Sequence, residues 1–449
     1  MNGEIVEEEK SVAIHITEEN KVLLADSIKT KLALIPWHNA NLLCSIHRVH
    51  QKFRKLDEFA YTPEMVSIGP FHHGKDNLAA MEDHKLRYAK ALLSRTITGI
   101  NKMDECVTYM EEIEDVTRKC YSETIKLSSD EFVEMMVIDG LFMIELFRKN
   151  VNEVVRIERG DLIFDNTWGL SSLVRDLVLL ENQLPMVVLE CLLKVPEVNE
   201  ELNGVSINIL ALRFFNRWMP RGEKVVESSF SNNQGKHLLD LLGKTFHVLP
   251  PKYSNEESIK RINSGKPVRS VIDLKRAGVK FVKSSTNGSY LDIKFKDGVM
   301  EIPPLKIEDQ TDTLLRNFIA FEQCGKDHVT DMTSYAFLMD SLINSGQDVG
   351  VLCKKGIITN HLGDEEAVAK LFNNLCCEVT LPDFYYSELC DQVNTYYESR
   401  WPAWKATLRR DYFNDPWTII SFVGAIVLLV LTFLATLYAI LSYVQQSKK

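Results

Sequence analysis

The feature that most limits how this chain can fold is an uncharged apolar run, WTIISFVGAIVLLVLTFLATLYAILSYV, from Trp417 to Val444. A helix rises about 1.5 Å per residue, so roughly 20 such residues cross a hydrocarbon core of ~30 Å, and this run can do so with tilt. A buried globular helix rarely stays apolar for so long. Trp417 at one end, with Tyr438 and Tyr443 near the other, suits the interfacial aromatic belt. The run therefore predicts a transmembrane helix over 417–444, with the lipid bilayer as its partner. The opening MNGEIVEEEK is acidic and lacks the apolar core of a secretory signal. QQSKK follows the run, the pattern expected of tail-anchored insertion. Arg400, Lys405, Arg409 and Arg410 precede the helix, against Lys448 and Lys449 after it. The positive-inside rule then predicts a single-pass protein with its large N-terminal domain in the cytosol, at the plasma membrane or the endoplasmic reticulum.

Charge and cysteine usage narrow what that domain can be. The 449-residue chain carries 62 acidic against 52 basic side chains, a formal net charge of −10. Such a balance argues against a nucleic-acid partner, which needs a clustered basic face. The nine cysteines are odd in number, include the adjacent pair Cys376 and Cys377, and form no C-x-x-C motif. That fits reduced thiols better than a disulfide framework or a zinc ribbon.

Residues 1–30 read as a mobile acidic tail, 31–400 as one large helical domain, 401–416 as a juxtamembrane segment and 445–449 as a short tail. From Cys106 to Ile125 apolar positions recur at helical spacing, predicting an amphipathic helix. Ser128 with Glu131 forms a capping box for EFVEMMVIDGLFMIELF, which is apolar nearly all round and predicts a central buried helix. In LVRDLVLLENQLPMVVLECLL, Pro185 must kink or split the helix, because it lacks an N–H and its ring crowds the preceding turn. Glu181, Asn182 and Gln183 sit there among apolar neighbours and need hydrogen-bond partners, for which backbone groups freed by Pro185 are candidates. Asp364 is placed to cap a later helix, and a last helical stretch is predicted from Glu388 to Asp411. Between about 279 and 307 the period changes. VKFVKS, YLDIKFK and VMEIPPLKI have strand composition, and Asp297-Gly298 is a hairpin signal, so a small antiparallel β element is expected. The fold class is mainly α: a large helical domain with that β element, plus the C-terminal transmembrane helix.

Several motifs invite a chemical reading. Gly69, Pro70, His72, His73 and Gly74 lie in SIGPFHHG, and Glu82, His84 and Arg87 in MEDHKLRYAK. Three histidines with Glu82 or Asp83 could be read as a metal set. Adjacent side chains on an extended segment point to opposite faces, however, so His72 and His73 would seldom share an ion. His84 aligns with Met81, Tyr88 and Leu92 as a packing stripe. Glu82–Lys85 and Asp83–Arg87 have ordinary helix-surface spacing, and Pro70 and Gly74 bracket a turn. Structural hydrogen bonding fits these residues best, with a binding surface and a metal site as alternatives. No metal or other cofactor is expected.

Gly243-Lys244-Thr245 imitates the end of a phosphate loop, but Leu238 stands where the first glycine belongs. No G-x-S-x-G, H-E-x-x-H or G-x-G-x-x-G occurs. Asp139 and Glu145 are six apart, off any shared helical face, and fit a core network better than an acid–base pair. Trp401, Trp404 and Trp417 alternate with Lys405, Arg409 and Arg410. That pattern suits either a helix lying on an anionic leaflet or tryptophans docked on the domain.

The segments AYTPEMVSIGPFHHG, MEDHKLRYAK, DLVLLENQLP, GIITNHLG and WPAWKATLRRDYFNDPW, in this order from about Cys44 to the apolar run, resemble the plant-specific domain of unknown function 247 family. The resemblance implies a helical domain with a C-terminal membrane segment. Some members of that family are associated with self-incompatibility loci in grasses, which points to recognition; the resemblance brings no established biochemical activity. Two functional expectations follow. The first is a membrane-anchored recognition or signalling adaptor that binds protein partners. The alternative is an enzyme with a family-specific site around His72, His73, His84 and Arg87.

Overall fold

The computed structural model describes residues 21–446, apart from 22, 32–42, 95–100, 152–160, 162, 167, 196–197, 199–203, 217, 219–233, 247–265, 285–288, 290, 326–328 and 400–415. Residues 23–31, in a separate unit that ends at Cys44, are helical and exposed. The main unit begins at Ser45.

Its centre is α3 (Ser129–Val151). The helix starts where the capping box predicts: the Glu131 carboxylate accepts from the Ser128 amide at 2.9 Å, and the Glu131 amide donates to Ser128 Oγ at 3.3 Å. From Phe132 to Phe147 nearly every apolar side chain is buried, because α3 is enclosed on several sides. Around it pack α1 (Ala79–Leu93), α2 (Asn101–Arg118), α5 (Met186–Leu192) and α6 (Ile207–Asn216). The amphipathic helix expected to reach Ile125 stops at Arg118, whose guanidinium folds back to the carbonyls of Ile125 and Leu127 at 3.1 and 3.0 Å.

The apolar run around Pro185 is split, and earlier than the proline alone requires. Helix α4 (Gly169–Leu177) ends eight residues before it, and Pro185 is the N-cap residue of α5, where a missing N–H costs nothing. Residues between the two helices are fully buried without being helical, and they form the floor of the site described below.

Beyond α7 (Leu238–Lys244) and α8 (Val271–Arg276), the chain forms β1 (Lys280–Lys283), β2 (Lys294–Lys296), β3 (Val299–Ile302) and β4 (Leu305–Ile307). Asp297 and Gly298 both have positive φ, 50° and 76°, as a tight hairpin turn demands, and they join antiparallel β2 and β3. The element is mixed where an antiparallel one was expected: β1 runs parallel to β3, in register Lys280 to Val299. Pro303 and Pro304 cannot donate to a ladder, so the strand breaks there. β4 instead pairs in parallel with β5 (Ile358–Asn360) in a second, two-stranded sheet.

The remaining helices of the domain are α9 (Asp309–Glu322), α10 (Asp331–Leu342), α11 (Gly346–Lys354), α12 (Glu365–Leu375) and α13 (Ser387–Glu398). Asp364 caps α12 by accepting from the Glu366 amide at 3.1 Å. Helix α13 covers the first part of the predicted 388–411 stretch; Trp401, Trp404 and the basic residues beside them lie outside the described residues. One hydrophobic core runs continuously from Ile46 to Val393.

Helix α14 (Pro416–Gln446) has a different character. No residue of its 21-residue segment Ile420–Ile440 is buried inside the protein, unlike a globular core helix. By length and composition it can cross a membrane.

Candidate functional site

Segments more than 100 residues apart meet at the buried stretch before Pro185. Glu64 to Gly69 runs alongside it and pairs with no strand among the described residues, so side chains satisfy its backbone groups. Asp176, at the end of α4, accepts from the amides of Met65 and Val66 at 2.6 and 3.0 Å. The Asn182 amide donates to Val66 O at 3.0 Å and accepts from the Ile68 amide at 2.8 Å. Gln183 donates to the carbonyls of Leu177 and Leu179, both at 2.8 Å, and accepts from the Leu239 amide at 3.0 Å. Thus Gln183 takes up carbonyls left open at the end of α4, whereas Asn182 serves mainly another segment.

Gly69 is the tightest point. Its φ is +71°, and a Cβ there would stand 2.6 Å from Gln183 O and 2.9 Å from the Tyr121 hydroxyl. Its amide donates to Asp139 Oδ2 at 2.8 Å. Asp139 also pairs with Lys85 at 2.6 Å, and Lys85, with no exposed surface, reaches Ser67 O at 2.9 Å and Glu82 at 2.8 Å. The charges at Asp139 and Glu82 hold the Lys85 ammonium above its usual pKa despite burial.

Pro70 and Phe71 turn the chain outward. His72 is buried with 2 % of its surface exposed, His73 is exposed, and Gly74 closes the turn with φ +74°. His84 is buried on α1 beside Met81, Tyr88 and Leu92, and Arg87 is exposed on that helix. The structure therefore separates His73, His84 and Arg87 from the site and brings His72 to Glu181. Among the described residues, no group of three or more His, Cys, Asp or Glu side chains could hold a metal ion.

Glu181 is the floor of a cleft of about 780 Å³, lined by Arg48, Arg54, Lys55, Glu58, His72 and Lys75 among others. Its carboxylate accepts from the Val49 amide at 2.6 Å, from Arg54 at 2.6 Å and from Arg48 at 3.1 Å. Burial alone would raise its pKa; the His72 ring, the Arg54 guanidinium and the Val49 amide outweigh it and hold the group at about 2. Lys75 lies 2.8 Å from His72 Nδ1. An ammonium can only donate, so Nδ1 is the acceptor and Nε2 carries the ring proton. Nε2 lies 3.4 Å from Glu181 but makes no hydrogen bond there. Burial pushes the His72 pKa down, only partly opposed by Glu181. Burial and the neighbouring Arg54 charge lower that of Lys75.

Gly69, Lys85, Asp139, Asn182, Gln183 and their neighbours thus form one hydrogen-bonded hub, with His72 in the cationic cleft beside it. A family model described as a plant protein of unknown function, DUF247, matches residues 46–431. The chain belongs to the DUF247 family. It is 31% identical to the UPF0481 protein At3g47200 of Arabidopsis thaliana over 427 residues, covering 90% of this chain and 88% of that one. It is also 23% identical to the putative UPF0481 protein At3g02645 of Arabidopsis thaliana over 461 residues, covering 83% and 85%. No solved structure matches the chain.

For this DUF247 protein, sequence reasoning did not reach Arg48, Arg54, Lys75 or Asp176. The two arginines belong to the segment around a single helical turn (Gln51–Arg54), whose mixed charges read as surface. From the sequence Lys85 reads as a surface partner of Glu82, and Asp139 as a core-network residue with Glu145; in the structure Lys85 is buried and meets both Glu82 and Asp139, while Glu145 pairs with Arg148 at 2.8 Å.

Proposed function

We propose that this DUF247 protein is a membrane-tethered binding module whose recognition face is the cleft over Glu181. The observation that carries the reading is the state of that cleft. Its buried carboxylate is fully hydrogen-bonded, while cations remain at the mouth. His72 is the imidazole a catalytic reading would recruit, and its two nitrogens are directed at Lys75 and Glu181 instead of at a hydroxyl or thiol. A nucleophile–base pair needs the latter arrangement. The exposed apolar segment Ile420–Ile440 supports a single membrane anchor, which would raise the local concentration of the domain for membrane-associated protein partners. The large domain then faces the cytosol.

Proximity labelling from the full-length chain tests this. A small, reproducible set of membrane-associated proteins is expected. It should persist when 417–444 is exchanged for an unrelated single-pass anchor of the same membrane. Turnover of a small molecule by the purified full-length chain, abolished by His72→Gln, would favour the enzyme reading, which the depressed pKa of His72 beside a carboxylate in a cleft motivates.

A further inference from the structure

We infer that the cleft over Glu181 binds a small molecule through a phosphate group, coordinated by Arg48, Arg54 and Lys75. This deepens the binding reading of the same cleft by naming its ligand chemistry. Charge is the first ground. Arg48, Arg54, Lys55 and Lys75 outnumber the carboxylates of Glu58, Glu123 and Glu181 around the cleft, so it keeps a net positive charge for an anion. At the rim, Lys55, Glu58 and Glu123 are exposed; Glu123 meets Arg48 at 3.3 Å with 55% of its side chain exposed, so water screens that pair.

Donor geometry is the second ground. The guanidinium of Arg48 is shared between Glu181, Glu123 and Phe71 O, and it stacks 4.2 Å from the Phe71 ring, which fixes its plane. Arg54 is clamped at 2.6 Å to the same carboxylate. Two oriented guanidinium groups and one ammonium suit an acceptor with three oxygens. Lys75 has His72 Nδ1 as its one hydrogen-bond partner among the described residues, an uncharged group, so its ammonium is left without a counter-ion. A volume of about 780 Å³ lies within the ~300–1,000 Å³ usual for small-molecule sites, so the phosphate's bearer fits as well.

The phosphate could belong to a soluble molecule or to a lipid headgroup, and the test separates them. Full-length protein is placed in phosphatidylcholine nanodiscs and titrated with inorganic phosphate by calorimetry. Its thermal midpoint is then compared in nanodiscs with and without phosphatidylinositol 4-phosphate. Saturable phosphate binding, weakened at least tenfold in Lys75→Met, supports the site with a soluble ligand. A midpoint raised by the phosphoinositide and lost in Lys75→Met supports it with a lipid ligand. Lys55→Gln, at the rim, should weaken either by about twofold and guards against misfolding of the first variant. Absence of both effects, or effects that Lys75→Met leaves intact, overturns the inference. The binding-module reading would survive that result, since partner labelling does not depend on it.

Discussion

Replacing Gly69 and Gly74 by alanine separates crowding from backbone conformation, because both residues hold nearly the same left-handed φ, +71° and +74°. An L side chain in that region costs about 1–2 kcal/mol. Alanine also narrows the unfolded ensemble, which offsets about 0.4–1 kcal/mol of this. At Gly74 nothing lies within 4 Å of the added methyl, so the whole expected loss is about 1 kcal/mol. At Gly69 the methyl would stand 2.6 Å from Gln183 O and 2.9 Å from the Tyr121 hydroxyl, closer than real contacts allow. Gln183 O is backbone held within the hub, so the Gly69 segment must retreat. Retreat draws its amide from Asp139 and loosens the bond from the Tyr121 hydroxyl to Gln183 O, now 3.1 Å. The same backbone cost of about 1 kcal/mol, two buried hydrogen bonds at about 1 kcal/mol each and overpacking of about 1–3 kcal/mol bring the expected loss at Gly69 to about 4–6 kcal/mol. Denaturant unfolding of the full-length chain, followed by tryptophan fluorescence, measures both. Equal losses for the two variants would show that close approach is not what requires glycine at 69, and the hub as described would be wrong.

Further expectations concern charge, pH and the membrane. Lys85→Met strands the buried Asp139 carboxylate and should cost about 3–5 kcal/mol in the same unfolding assay, with Asp139→Asn on that background recovering part of the loss. Glu181, held at about 2 against an ordinary value of 4.5, gives stability that is fully present above the unfolded pKa and lost as pH falls through the folded one. Unfolding midpoints should therefore drop between about pH 4.5 and 2 by the equivalent of about 3 kcal/mol, a slope that Glu181→Gln removes. Full-length protein should stay in the membrane pellet in alkaline carbonate. Leu428→Arg, costing about 2.5–3.5 kcal/mol of insertion free energy, should shift protein to the supernatant.

What the sequence disclosed was mostly local. The capping box at Ser128, the Asp364 cap, the hairpin at Asp297-Gly298 and the all-round apolar pattern of α3 each depend on neighbours within a few positions. Chain text states such neighbours directly. The parallel pairing of β1 with β3 is non-local, set by how the strands close over the core, and no spacing rule discloses it. Burial of Glu181, Asn182 and Gln183 was legible because Pro185 interrupts an apolar run. Gln183 finds the nearby carbonyls of Leu177 and Leu179, but the partners of Glu181 and Asn182 were not legible, since Val49, Arg54, Val66 and Ile68 lie more than 110 residues earlier and carry no periodic signal. His72 is buried and His73 exposed, but on a turn and not on the extended segment expected from the sequence. The identity of the ring's partners, Lys75 and Glu181, needed coordinates.

The central claim, that this DUF247 protein acts by binding through the cleft over Glu181, is tested most directly by partner labelling with a charge-reversed mouth. Lys55→Glu with Lys75→Glu changes two exposed side chains; losing the Lys75 bond to buried His72 should cost about 1–2 kcal/mol, and denaturant unfolding checks that the variant still folds. The account predicts that this variant, still in the membrane pellet, loses the reproducible set of labelled partners. An unchanged set from a folded, membrane-bound variant would contradict it.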